Sequence, residues 1–162
     1  MAGKNTTTTS TYGIKEDVLP KKEYHQAQRL GEGTFGAVCT VYDDEGQMYA
    51  MKVFECDEDD ETLAKETLRE VSLLRLLRAR AKEFGILRII DVYANAQEEI
   101  CMVMPRLSCN LTEGIERKLV KNKLKIAHSL LTAVLFLHQN GVVHRDIKGD
   151  NIMFANDKLE SV

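Results

Sequence analysis

Residues 141–154 read Gly141-Val142-Val143-His144-Arg145-Asp146-Ile147-Lys148-Gly149-Asp150-Asn151-Ile152-Met153-Phe154. Between His144 and Asn151 stand a histidine, an arginine, two aspartates, a lysine and an asparagine, with Val142–Val143 before them and Ile152–Phe154 after. A polar cluster held between two apolar, strand-like clamps predicts a rigid loop that presents catalytic groups. The plainer alternative is a polar turn in which Asp and Asn bond nearby backbone.

The spacing His-Arg-Asp, four residues, Asn resembles the catalytic loop of the eukaryotic protein kinases, with Ile147 where leucine is commoner. The resemblance implies that Asp146 accepts the proton of a substrate hydroxyl and that Asn151 holds one of two Mg²⁺ ions. It also implies that Lys148 stands beside the transferred phosphate, as in serine/threonine kinases. The residue types suit that chemistry, because a hydroxyl attacking an anionic phosphorus needs a carboxylate to orient it and cations for the developing charge.

Working back toward the N-terminus, Gly31-Glu32-Gly33-Thr34-Phe35-Gly36-Ala37-Val38 follows the strand-like residues 24–30 and precedes the apolar-rich residues 39–44. A turn at Glu45-Gly46-Gln47 and a further strand over residues 48–54 come next. GxGxxG alone also fits a dinucleotide fold, which demands a helix after the glycines. Here β-favouring residues follow, as in the kinase loop that covers ATP phosphates. A Cβ at Gly33 or Gly36 is expected to intrude on that approach. By the same resemblance Leu30 and Val38 roof the adenine, Ala50 packs on its other side, and Lys52 pairs the α- and β-phosphates. An ammonium in an apolar strand needs a partner, and Glu70 is the candidate.

Residues 60–80 predict a helix whose apolar face comprises Leu68, Val71, Leu74 and Leu77 with Leu73 and Leu76. The acidic run 57–61 at its start favours the helix dipole. Residues 86–94 and 98–104 read as two strands joined by a turn at 95–98. The expected architecture is therefore α+β, a five-stranded antiparallel sheet with one helix, followed by the first part of a helical lobe. Met104 falls where a kinase has its gatekeeper, and the Pro105 carbonyl and Leu107 backbone fall where the hinge bonds adenine. Pro105 lacks an N–H yet keeps its carbonyl. Residues 110–118 and 121–140 predict helices. The second carries Leu124, Ala127, Leu130, Leu131, Val134, Leu135 and Leu137 as a core stripe, with Gly141 as its stop.

The chain has 162 residues, 44% hydrophobic and 29% charged, a net charge of −3 and a pI near 5.8. That composition predicts a soluble globular protein and gives no electrostatic reason for nucleic acid or anionic membrane as a partner. No apolar run approaches the roughly 20 residues of a membrane helix. Cys39, Cys56, Cys101 and Cys109 lack the pairing of a zinc site or disulfide framework, and no signal peptide is evident, so a reducing compartment, cytoplasm or nucleus, is expected. His128 and His138 read as structural, and His25 is uninformative.

Residues 1–22 predict a disordered polar tail. The resemblance divides the rest into an N-lobe (23–104), a hinge (105–108) and a partial C-lobe (109–162), with the Asp-Phe-Gly triplet expected past Val162. It implies a protein serine/threonine kinase using ATP and Mg²⁺ on a protein substrate, the 162 residues alone being an incomplete domain. The alternative is an inactive ATP-binding or protein-interaction fragment. Arg145 and Lys148 disfavour a small-molecule phosphotransferase. The helix bearing Glu70 resembles that of cyclin-dependent and MAP kinases and is where an activating protein partner would dock. Gly149 leans instead toward the kinases acting upstream of MAP kinases.

Overall fold

A computed structural model describes residues 23–33, 36–54 and 61–155. The expectations for the tail at 1–22, for Thr34, Phe35 and Cys56, for acidic residues 57–60 and for the chain after Ala155 fall outside the described residues. Five strands, β1 (Tyr24–Gly33), β2 (Gly36–Asp43), β3 (Met48–Val53), β4 (Asp91–Ala94) and β5 (Ile100–Pro105), form one antiparallel sheet in the order β1-β2-β3-β5-β4. Helix α1 (Glu61–Leu77) lies between β3 and β4 in the chain, and α2 (Leu111–Glu116), α3 (Lys123–Gln139) and a 3₁₀ turn (Gly149–Asn151) follow β5. The expected α+β class and five-stranded sheet are what the chain forms.

Side-chain chemistry sets both tight turns. Asp43 Oδ1 accepts the backbone N–H groups of Glu45 and Gln47 at 3.1 and 2.8 Å, while Gly46 takes φ +77°. Asn95 Oδ1 does the same for Gln97 and Glu99 at 3.0 and 2.9 Å. Both are Asx-type turns, in which a short carbonyl or carboxylate stands in for a backbone acceptor. Helix α2 starts at a reciprocal capping box between Asn110 and Glu113, and Asn122 caps α3. Gly141, at φ +72°, ends α3 by donating to the His138 carbonyl.

Alternation along β2, β3 and β5 divides the sheet into two apolar faces. One carries Ala50, Phe54, Met102 and Met104 and is covered by Val71 and Leu74 of α1. The other carries Cys39, Val41, Met51, Cys101 and Val103 beneath Tyr24, Tyr49 and Tyr93. A flat sheet would hold the edge strands β1 and β4 four spacings, about 19 Å, apart. The Tyr24 and Tyr93 rings instead stack with centroids 5.8 Å apart, and the Tyr24 hydroxyl donates to Asp91 Oδ2 at 3.4 Å. The sheet is therefore curled strongly around this second face, an extreme of the right-handed twist that strands carry.

Four expectations need correction. Strand β4 begins at Asp91 instead of residue 86, because the preceding run drives Leu87 and Ile89 into one core cluster and Ile90 into the other, without a ladder partner for most of its backbone. Helix α1 stops at Leu77, where Arg80 stacks over Phe84 at 4.6 Å and clasps Glu83 in successive turns. On that helix Leu68 and Leu76 are exposed, so the buried face is narrower than the leucine count suggests. On α3 the buried positions are Ile126, Phe136 and Leu137, whereas Leu124 (84% exposed), Leu131 and Leu135 face outward. Length and spacing mark an apolar helix face without saying what covers it.

Burial pushes the Tyr93 phenol up to about 12, helped by the neighbouring Cys101 thiol, and burial with the Asp91 carboxylate raises Tyr24 as well. An unfolded tyrosine ionises near pH ~10. The folded chain holds these protons longer, so their contribution to stability is complete below about pH 10 and is lost as pH climbs toward 12. Thermal melts between pH 8 and 12 should show a falling Tm above about pH 10, and Tyr93→Phe should flatten that fall.

Candidate functional site

Strand β3 places Ala50, Lys52 and Phe54 on the face that α1 covers, since alternate residues share a side. Lys52 lies opposite Val38 of β2 and Met102 of β5, and Ala50 opposite Thr40 and Met104. From α1, Glu70 reaches across so that Lys52 Nζ donates to Glu70 Oε2 at 2.7 Å, with the two side chains 18% and 38% exposed. The ammonium also sits 4.5 Å from the centroid of the Phe54 ring, a contribution the sequence reading missed. Its signal was present, an aromatic two positions after the lysine.

Val38, Ala50 and Met104 come together in this same cluster. Leu30 is exposed on β1, and Leu107 is half-buried beyond the end of β5, whose last residue, Pro105, pairs with Tyr49. The glycine loop continues the β1–β2 ladder, with Gly31 opposite Val38, Glu32 opposite Ala37 and Gly33 opposite Gly36. The glycine requirement at Gly36 differs from the expected one. Its φ is +123°, and an added Cβ would collide with the Val53 carbonyl, so strand β3 and not a ligand forbids a side chain there.

The second group of residues is assembled by the loop itself. Arg145 takes φ +69°, a left-handed turn that brings the Asp146 N–H back to His144 Nδ1 at 3.3 Å. Lys148 Nζ lies 3.1 Å from Asp146 Oδ2, and Asn151 Nδ2 donates to that same oxygen at 2.8 Å and to the Asp146 carbonyl at 2.9 Å. The Lys148 and Asn151 hydrogen bonds hold the Asp146 carboxyl below the usual aspartate range. With both donors on Oδ2, Oδ1 faces outward as an acceptor. The amide nitrogen of Asn151 being engaged, its carbonyl oxygen is the atom left for an outside cation.

What holds this loop is one clamp and not the expected pair. Residues 152–154 bond to the segment before α2, through Leu111 N to Ile152 O at 2.8 Å and Phe154 N to Cys109 O at 2.9 Å. Phe154, fully buried, packs with Cys109 and Ile126. On the other side Val142 touches the cluster of Leu77, Phe136 and Leu137, but Val143 is 64% exposed and clamps nothing. Gly149 fits because its Cα passes so near Thr112 of α2 that a side chain would strike the threonine hydroxyl. A further trio, Glu23, His25 and Asp44, brings its ligand atoms within 4.8 Å of one another, exposed at the opposite end of β1 from the glycine loop.

Residues 24–160 match the model of the protein kinase domain, and the chain belongs to that family. It is 29% identical over 148 residues to mitogen-activated protein kinase mpkC of Aspergillus terreus, covering 86% of this chain and 39% of that protein. It is 33% identical over 147 residues to cyclin-dependent kinase-like 1 of Caenorhabditis elegans (85% and 39%). Against cyclin-dependent kinase B2-2 of Arabidopsis thaliana it is 29% identical over 153 residues (87% and 48%). The chain thus spans under half the length of these relatives and covers part of the domain.

A carboxyl titration of Asp146 by ¹³C NMR should give a midpoint below that of an unperturbed aspartate. Lys148→Ala should move it upward. An unshifted midpoint in the parent chain would remove the claimed hydrogen bonds from solution.

Proposed function

We propose that this chain is the nucleotide-binding lobe and catalytic loop of an ATP-dependent protein serine/threonine kinase. The observation that carries the reading is the 2.7 Å pair between Lys52 and Glu70, which fixes an ammonium on the sheet face bearing Val38, Ala50 and Met104. In this reading residues 23–104 form the N-lobe, 105–108 the hinge and 109–162 the beginning of the C-lobe. Leu30, Val38, Ala50 and Met104 enclose the adenine, the Pro105 carbonyl and the Leu107 backbone bond its edge, and residues 31–38 lie over the phosphates. Lys52 holds the α- and β-phosphates.

In this reading Asp146 faces Lys52 across the cleft, and its Oδ1 orients the hydroxyl of a protein substrate and takes its proton. Lys148 is then close enough to follow the transferred charge, and its contact with Asp146 further favours the ionised carboxylate. The Asn151 carbonyl oxygen suits a Mg²⁺ ion, which when bound neutralises phosphate charge. Lys148 favours the serine/threonine type. Leu68 and Leu76, exposed on α1, suit an activating protein partner, in keeping with the cyclin-dependent kinases among the relatives. No described helix is long and apolar enough to cross a membrane, which fits a kinase of cytoplasm or nucleus.

The outward leucines of α3 favour a second reading, in which the 162 residues alone bind nucleotide or another protein and do no chemistry. Phosphate transfer to a protein substrate separates the two, with Mg·ATP calorimetry to follow nucleotide binding beside it. Under the first reading, Asp146→Asn in the active kinase lowers phosphate transfer by roughly 10²–10⁴-fold, as expected for loss of a general base, with nucleotide affinity nearly unchanged. Lys52→Ala weakens nucleotide binding itself. Full turnover in the Asp146 variant would end the proposed role.

A further inference from the structure

The turn between α2 and α3 concentrates positive charge. Arg117, Lys118, Lys121, Lys123 and Lys125 fall within nine residues with no acid among them, in a chain whose 25 Asp and Glu outnumber its 22 Lys and Arg. All five are exposed, and among the described residues none meets a carboxylate. The turn that displays them is held in place. Lys118 takes φ +56°, a left-handed conformation more usual for glycine, and the Leu119 N–H donates to the Gly114 carbonyl at 2.9 Å. Val120 packs inward against the cluster of Cys109, Ile126 and Phe154. Arg117 and Lys118, at the C-terminal end of α2, suit its dipole. Lys123 and Lys125 instead occupy the first turn of α3, the positive end, where no acid offsets them. Repulsion among the like charges adds to that cost, and an anion relieves both.

We propose that this turn is a docking surface for an acidic segment of a protein partner, one that carries apolar side chains among its carboxylates. Charge complementarity calls for the acid, because five cations without carboxylate partners attract and orient an anionic chain. The apolar part follows from Ile115, Leu119 and Leu124, which stand exposed among the cations and offer contacts that a purely ionic ligand leaves uncovered. Nucleic acid suits the surface less well. No Phe, Tyr or Trp lies between Tyr93 and Phe136, so the stacking platforms on which single-stranded bases sit are missing from this stretch. An anionic membrane suits it less for a related reason, since the aromatic anchors of interfacial helices are missing too. Docking of this kind is independent of phosphate transfer and is read without turnover.

A fluorescein-labelled peptide of repeated Glu-Glu-Leu serves as the probe, its anisotropy followed as the full chain is titrated in. The proposal expects saturable binding that weakens as NaCl rises from about 0.05 to about 0.3 M, since exposed charges are screened. Lys121→Glu combined with Lys123→Glu should weaken it roughly tenfold, whereas the same reversal at Lys82 and Arg88, exposed cations of the segment between α1 and β4, should change it less than about twofold. An acid at position 123 suits the α3 dipole, so the first double variant should keep the parent's circular dichroism. Equal loss in the two double variants overturns the proposal, because general attraction to the chain then explains the binding. So does the absence of saturable binding, or tighter binding of a single-stranded oligonucleotide or of phosphatidylserine vesicles than of the peptide. Should the reversed variant fail to fold, Lys121→Gln combined with Lys123→Gln takes its place, and an unchanged affinity there overturns the proposal equally.

Discussion

A lysine ammonium in the middle of a sheet strand is tolerable only if something meets it, and Lys52 is met by Glu70. That pair ties a strand to a helix far apart in sequence, and it fixes which side of α1 looks at the sheet. Val71 and Leu74 then cover Ala50, Phe54 and Met102, so the ionic contact and the apolar packing specify the same helix orientation. With 18% and 38% of the side chains exposed, the pair contributes geometry more than stability, since partly solvated ion pairs are worth about 0–1 kcal/mol. Its value is positional, because the charge ends up on the face that Val38, Ala50 and Met104 share.

The loop of residues 144–151 obeys a different logic. Four of its polar residues bond within the loop, with Asp146 at the hub and His144, Lys148 and Asn151 as spokes. Local bonding of this kind explains how a non-glycine residue, Arg145, holds φ +69°, a conformation that costs roughly 1–2 kcal/mol and persists only when its surroundings over-determine it. The loop is exposed, yet its C-terminal end is anchored by Phe154 in a core with Cys109 and Ile126. An exposed polar centre on a buried aromatic anchor keeps the acceptor accessible while limiting its motion.

The sheet itself joins these parts because its two faces do different work. The face under α1 carries the charged pair, and the opposite face closes on itself through Tyr24, Tyr49 and Tyr93. Strong curl requires small residues inside, and Cys39 and Cys101 serve as small apolar side chains there, their thiols held neutral by burial.

Much was legible in the order of residues because it depends on near neighbours or on period. The glycine loop between β-favouring runs, the turn at 45–47, the strand carrying Lys52 and the spacing from Asp146 to Asn151 are all local, and the fold carries each where it was expected. Glu70 was likewise named from sequence as the partner of Lys52. Which apolar residues find cover is decided elsewhere. Leu124, Leu131, Leu135, Leu68 and Leu76 match the helical period as well as Ile126 or Val71, yet only the latter are buried. Likewise the collision that demands glycine at position 36 comes from Val53, a residue of another strand. Periodicity is a property of one segment, whereas burial and steric exclusion are relations between segments, and those exist only once the chain has folded.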